Sequence, residues 1–236
     1  MNVLVVVPTY NERENLPILV RGVLAFPGFR MLVVDDGSPD GTGEVADALA
    51  REHPGRVEVM HRTGKRGLGR SYIDGLRHAL STTDAELICQ MDADLSHNPE
   101  YLPALTAAAA NADLVIGSRY LNGVSVVNWP LHRIFLSAFG NRYIRAVTQL
   151  SPSDCTSGFR CWRREALARL PLDAMVSDGY AFLVEMLFDA ARNGARIAEV
   201  PIIFVERRQG QSKLSSNVLL ESLIMPWRLT LRGVRR

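Results

Sequence analysis

Two carboxylates set two positions apart, Asp92 and Asp94, close the apolar run Leu87-Ile88-Cys89-Gln90-Met91, and Leu95-Ser96-His97-Asn98-Pro99 follows them. An extended chain puts residues i and i+2 on one face, so both carboxylates can aim at a single point. Hard oxygen ligands at a strand end suit a divalent cation such as Mg²⁺ or Mn²⁺, which proteins commonly hold with one or two carboxylates while substrate phosphates complete the shell. The competing reading is a solvated acidic turn ahead of the Asn98-Pro99 break. The choice depends on whether other polar groups arrive at the same place.

The elements that position this pair follow from hydrophobic patterning. Val3 to Val7, Met31 to Val34, Val57 to Met60, Leu87 to Met91 and Leu114 to Ile116 are short apolar runs, as expected of strands buried on both faces. Amphipathic helical patterns lie between them, through Leu19 to Leu24, Val45 to Leu49, Tyr72 to Leu80 and Leu102 to Ala109. This alternation predicts a doubly wound α/β fold on a mainly parallel central sheet with flanking helices, and with ligands outside the carboxyl ends of the strands. Polar residues stand at those ends in turn: Tyr10 and Glu12, Asp35 and Asp36, Asp92 and Asp94, and Arg119. A solvated turn does not predict polar clusters after four strands, so the acidic pair reads as the floor of a site.

Beyond Tyr120 the pattern loosens. Residues 121–130 read as a loop, Leu131 to Leu150 as a basic amphipathic helix, and Cys155 to Arg164 as a compact polar-aromatic segment. A further helix starts at Gly179, Ile197 to Val205 is expected as an edge strand because Pro201 cannot donate to a ladder, and a last helix from Val218 to Leu231 is expected to be interrupted at Pro226.

The 236 residues are 47% hydrophobic and 22% charged, ordinary for a single globular domain. A net charge of +2 gives no argument for nucleic acid. The three cysteines, Cys89, Cys155 and Cys161, lack metal-ligand spacing and read as reduced intracellular thiols. No signal-peptide pattern opens the chain, and no window reaches the roughly 18 apolar residues of a membrane span. The expectation is a cytoplasmic protein, peripheral on the cytoplasmic face of a membrane.

Several strings together resemble the family-2 glycosyltransferases of GT-A fold: Pro8-Thr9-Tyr10-Asn11-Glu12, Asp35-Asp36-Gly37-Ser38-Pro39-Asp40-Gly41-Thr42 and Asp92-Ala93-Asp94-Leu95-Ser96-His97. Gly117-Ser118-Arg119-Tyr120, Thr156-Ser157-Gly158-Phe159-Arg160, and Phe204-Val205-Glu206-Arg207 leading to Ser212-Lys213-Leu214 narrow the likeness to the dolichol- or polyprenol-phosphate mannosyltransferases. That resemblance implies transfer of mannose from GDP-mannose to a polyprenyl monophosphate with a Mg²⁺ or Mn²⁺ cofactor. Residues 1–215 would form the catalytic domain, including an acceptor loop and amphipathic helix over about 121–150. Residues 216–236 would be a basic amphipathic helix touching the membrane surface, with attachment supplied by a partner protein.

By the same resemblance Pro8, Tyr10, Glu12, Val34, Asp36, Asp92, Ala93 and Asp94 line the nucleotide pocket. Asp94 is the principal metal ligand, and Asp92 contacts metal or ribose. Arg119 binds phosphate, Arg133 and Ser137 lie near the lipid phosphate, and Arg207 and Lys213 close over the donor diphosphate. Where some relatives carry a glutamine that reaches the metal, this chain has Ser96. Two other readings stay open. One is a UDP-glucose or UDP-GlcNAc transferase acting on a lipid phosphate or a hydroxyl, with Asp178 or Glu185 as base for the latter. The other is a non-catalytic sugar-nucleotide-binding subunit.

Overall fold

The computed structural model describes residues 2–63, 67–175, 177, 179–206 and 216–234. Strands β1 (Val3–Thr9), β2 (Phe29–Asp35), β3 (Val57–His61), β4 (Leu87–Gln90), β5 (Leu114–Ser118), β7 (Arg160–Arg163) and β8 (Ile197–Pro201) form a seven-stranded sheet in the order β3-β2-β1-β4-β7-β5-β8. Because side chains alternate along a strand, Val3, Val5 and Val7 of β1 enter one core layer while Leu4 and Val6 enter the other. The first layer is closed by helices α1 (Leu16–Leu24), α2 (Thr42–Glu52) and α4 (Leu102–Ala108), and the second by α3 (Leu68–Thr82) and α7 (Gly179–Arg192). In α1 the buried set Leu16, Leu19, Val20 and Val23 follows the i, i+3, i+4, i+7 spacing of a one-faced helix. Each such fully buried aliphatic side chain contributes roughly 1.5–3 kcal/mol.

Helix α3 lies unusually close to the sheet. A Cβ at Gly75 would sit 2.7 Å from both Val6 and Val34, so only glycine permits this approach. The sheet grows from β1 to β2 and β3 on one side and to β4 on the other. The strand order therefore reverses between β1 and β4, where open α/β sheets open their binding crevice. Thr9, the last residue of β1, and Asp92, two residues beyond β4, flank that crevice.

The sheet is mainly parallel, as expected, and the structure corrects the readings of residues 121–130, 197–205 and 218–231. The polar-aromatic segment, ahead of the short helix α6 (Arg164–Ala168), holds β7, antiparallel to β4 on one side and β5 on the other. Its arginines concealed it, yet Arg160 is fully buried and donates to the carbonyls of Ser157, Leu183 and Cys155. The stretch Ile197 to Val205 divides in two. Only β8 is the edge of the large sheet, while β9 (Phe204–Val205) pairs with β6 (Val126–Val127) in the segment read as a loop. Helix α8 (Ser216–Val234) runs through Pro226 without a break.

The proline costs α8 a hydrogen bond, and tertiary contacts hold the helix on both sides of it. Met225 and Leu229 are buried in the core, Thr230 donates to Val147 O of α5 (Leu131–Thr148), and Arg232 bonds Glu185 and Asp189 of α7. Among the described residues, no helix is long and apolar enough to cross a membrane.

Candidate active site

Beyond β4 the chain turns sharply. Leu95 adopts φ 61°, a left-handed conformation that is strained for a bulky residue and recurs where surroundings impose it at functional sites. Around that turn the two carboxylates are separately anchored. Asp94 Oδ1 accepts from Ser96 N at 3.1 Å and Ser96 Oγ at 2.5 Å. Asp92 Oδ1 accepts from the Tyr72 hydroxyl at 2.8 Å, and its backbone N–H donates to His97 Nδ1 at 3.1 Å.

Tyr72 is wholly buried on α3 and stacks on Phe182, with ring centroids 6.4 Å apart. Burial, with Asp92 beside it, raises the phenol well above its ordinary pKa, so the hydroxyl stays a donor. His97 is buried against Phe159 at 5.0 Å, and burial lowers its pKa. Because its Nδ1 accepts the Asp92 N–H, the neutral ring carries its proton on Nε2. Gly158 completes the surround: a Cβ there would lie 3.5 Å from both Asp92 carboxylate oxygens.

The second strand end divides its two aspartates between different tasks. Asp35 is a turn-former that accepts from Thr9 Oγ1 and from both the backbone and the hydroxyl of Ser38. Asp36 pairs with Arg62 and accepts from Gly67 N at 2.9 Å. Arg62 also bonds Asp74 and Ser71 of α3. The opening of α3 thus ties Asp36 to Asp92 through Gly67, Ser71 and Tyr72. Glu12 accepts from Asn15 at 2.7 Å, and its N–H donates to Thr42 Oγ1 at 2.9 Å. Pro8, Val34 and Ala93 are buried at the strand ends, and Tyr10 is half-buried.

A basic, aromatic cluster forms the far wall. Arg119 is buried and bidentate to Asp154, Nε to Oδ2 at 2.7 Å and Nη2 to Oδ1 at 2.8 Å, with Nη2 also donating to Thr156 Oγ1 at 2.8 Å. Burial alone would raise the Asp154 carboxyl, but Arg119 and the hydrogen bonds it receives hold it below the ordinary value. The Arg119 guanidinium lies 5.5–5.7 Å from the ring centroids of Tyr120, Trp129 and Phe204. Arg133, from the first turn of α5, stacks on Trp129 at 4.1 Å and pairs with Glu206. Ser137, one turn on, accepts from the Tyr120 hydroxyl at 2.7 Å.

Arg207, Lys213 and Asp178 lie outside the described residues. Glu185 is buried and held by Arg232 and Ser177 N. Sequence reasoning singled out neither Tyr72 nor Asp154, Trp129 or Arg62. Tyr72 sits in an apolar helical pattern that hides its hydroxyl, and Asp154 is 35 positions from the arginine it neutralises.

The donors at the strand end suit a hard divalent cation: two carboxylates and a hydroxyl, all oxygen. Among the described residues no group of three His, Cys, Asp or Glu is arranged to hold a metal. A pair of carboxylates leaves room in such a cation's shell for substrate phosphates.

Comparison with known proteins bears on this geometry. Residues 4–170 match Glycosyl transferase family 2. The chain is 47% identical over 232 residues to a polyprenol monophosphomannose synthase of Mycolicibacterium smegmatis, covering 98% of this chain and 87% of that protein. It is 48% identical over 225 residues to an undecaprenyl-phosphate mannosyltransferase of Micrococcus luteus, covering 95% and 92%. Among solved structures, a glucosyl-3-phosphoglycerate synthase from Mycobacterium tuberculosis in complex with Mn²⁺, UDP and glucosyl-3-phosphoglycerate superposes with a TM-score of 0.68 at 19% identity, over 98% of this chain and 79% of that one. That likeness establishes the shared GT-A fold. The chain is a glycosyltransferase that belongs to glycosyl transferase family 2 and, within it, to the group of the polyprenyl-phosphate mannosyltransferases.

Proposed function

We propose that the protein transfers mannose from GDP-mannose to a polyprenyl monophosphate, with inversion at the anomeric carbon and with Mg²⁺ or Mn²⁺ held at Asp92 and Asp94. One observation carries the reading. An anchored acidic pair at the sheet's switch point is matched by a basic, aromatic wall that continues into α5, a helix that exposes Leu131, Phe135 and Phe139. A metal-bound diphosphate, an anionic acceptor and a lipid tail each find a counterpart. The two relatives, a polyprenol monophosphomannose synthase and an undecaprenyl-phosphate mannosyltransferase, support mannose transfer to a polyprenyl phosphate.

The cation supplies Lewis-acid stabilisation of the leaving diphosphate. Ser96 orients Asp94, and Tyr72 and His97 fix Asp92, so the ligands are set before substrate arrives. Pro8, Tyr10, Glu12, Val34, Asp36 and Ala93 frame the nucleoside, and Arg207 and Lys213 are assigned to the donor diphosphate by family resemblance. A phosphate monoester has a second pKa near 6, so the acceptor arrives anionic and needs cations rather than a general base. Arg133 and Ser137 receive it, while the Arg119–Asp154 pair braces the wall behind them. An acceptor oxygen attacks the anomeric carbon as the bond to GDP breaks, and the electron pair leaves on the diphosphate. No proton has to be removed, and an α-linked donor yields a β-linked product.

The membrane part of the reading rests on two stripes of exposed residues four apart: Leu131, Phe135 and Phe139 on α5, and Leu223, Trp227 and Leu231 on α8. The helices are joined where Tyr143 donates to Leu223 O and accepts from Trp227 Nε1. Arg142, Arg145 and Arg228 are exposed on the same pair of helices. An apolar face with basic neighbours suits a membrane interface bearing anionic lipid. Attachment is then peripheral, at the cytoplasmic face, with an anchoring protein as a further partner and α8 as the contacting helix.

The test offers GDP-mannose, UDP-glucose and UDP-GlcNAc separately with a polyprenyl phosphate and either metal. Mannolipid from GDP-mannose alone is expected; transfer from a UDP-sugar, or a product of retained α configuration, would overturn the assignment. For the membrane face, sedimentation with anionic vesicles is expected for the wild type and sharply reduced for Phe135→Ser/Trp227→Ser. Equal retention of both proteins would refute that part.

A further inference from the structure

The indole of Trp129 is the least satisfied polar group in the acceptor wall. Its Nε1 is buried and has no hydrogen-bond partner among the described residues. A tryptophan N–H is a donor only, and leaving one buried and unpaired is costly enough that such cases call for an explanation, an absent ligand among them. The surroundings define that ligand's chemistry. Arg133 lies over the ring at 4.1 Å and Arg119 at 5.7 Å, while Phe204 meets it edge-on at 5.4 Å. A donor flanked by two guanidiniums calls for an anionic oxygen.

The two arginines differ in how their charge is met. Asp154, on Arg119, has no exposed surface and accepts from the Arg119 backbone, its Nε and its Nη2, so it is a fixed part of the wall. Glu206, on Arg133, keeps a quarter of its side chain exposed. Its backbone is held independently, since Glu206 N donates to Val127 O at 3.1 Å beside the β6–β9 pair. The carboxylate can therefore leave Arg133 without unpicking the strand. It is also the weaker ligand, one negative charge against about 1.5 to 2 for a phosphate monoester near neutral pH.

We propose that Trp129 joins Arg133 and Ser137 in the seat of the acceptor's phosphate, and that Glu206 occupies Arg133 until the phosphate displaces it. Trp129 Nε1–H then donates to a phosphate oxygen, which gives the buried donor its partner. Glu206 acts as an internal competitor that keeps Arg133 placed while the seat is empty. This rests on the lipid-phosphate reading above.

The test is isothermal titration of the full chain with farnesyl phosphate, a short polyprenyl phosphate, alongside steady-state kinetics. Trp129→Phe keeps the ring and removes the donor, and is expected to weaken binding about ten-fold. Glu206→Gln is expected to tighten binding about three-fold or more. Both variants are expected to move the acceptor KM in the same directions and to leave the GDP-mannose KM unchanged, which a general loss of structure would not do. No change in Trp129→Phe, weaker or equal binding in Glu206→Gln, or no binding of farnesyl phosphate at all would overturn the seat. If the binding shifts appear but no mannose is transferred, the seat stands and the proposed reaction falls. If transfer proceeds while the dissociation constants stay put, the reverse holds.

Discussion

Replacing Asp154 by alanine is expected to destabilise the fold by about 3–5 kcal/mol, the cost of stranding one member of a buried ion pair. Asp154 has no exposed surface, and Arg119 keeps 6% of its own. The variant removes the acceptors of Arg119 N, Nε and Nη2, leaving a guanidinium inside the protein with Thr156 Oγ1 and its ring contacts. For a chain of this length roughly 2–4 °C of Tm accompanies each kcal/mol, so a fall of about 6–20 °C is expected in a thermal melt. The double variant Arg119→Met/Asp154→Leu, which removes both charges and keeps the volume, is expected to recover most of that loss. Their coupling energy in urea unfolding would then be about 2 kcal/mol or more. A single-variant cost below about 1 kcal/mol, or a double variant no better than the singles combined, would refute the claim that this pair is the buried brace of the acceptor wall.

Tyr72→Phe keeps the stack on Phe182 and removes the donor to Asp92, so a loss of about ten-fold or more in kcat/KM is expected with Tm little changed; wild-type kinetics would contradict it. Gly75→Ala places a Cβ 2.7 Å from Val6 and Val34, and overpacking of about 1–3 kcal/mol is expected in urea unfolding. Because the Asp154 carboxyl titrates lower in the folded protein than in the unfolded chain, its stabilisation is complete above the unfolded value near 3.9 and is lost as the pH falls through the folded value. Below about pH 4 the wild type is therefore expected to lose stability more steeply than Asp154→Asn, and parallel pH profiles would contradict it.

Much of the architecture was legible because β1, β2, β4 and β5 are apolar runs with few polar interruptions, and because polar residues follow their carboxyl ends. The strand β7 was not, since its arginine-cysteine-tryptophan-arginine run carries charges that normally mark a surface. Arg160 defeats that expectation by meeting backbone carbonyls inside the core, at the expense of a pKa pushed down to about 10 by burial. In the site, Asp92 and Asp94 could be singled out from their position after a strand. The groups that hold them could not all be: Ser96 is local, but Tyr72 arrives from a helix 20 positions earlier. The same limit hid the Asp154 partner of Arg119 and the Glu206 partner of Arg133, 73 positions away. Spacing identifies residues that share an element, whereas these pairs exist only once the sheet brings separate elements together.

The acidic pair at the end of β4 carries the proposed reaction, and one comparison tests its role most directly. Mannose transfer from GDP-mannose to a polyprenyl phosphate, with binding of Mn²⁺ in the presence of GDP followed in parallel, is measured for the wild type and for Asp94→Asn. Loss of the bound cation's stabilisation of the leaving diphosphate, worth several kcal/mol, predicts a rate lower by about a hundred-fold or more, together with weakened Mn²⁺ binding and an unchanged melting temperature. An Asp94→Asn enzyme that transfers mannose at the wild-type rate and binds Mn²⁺ as tightly would contradict it.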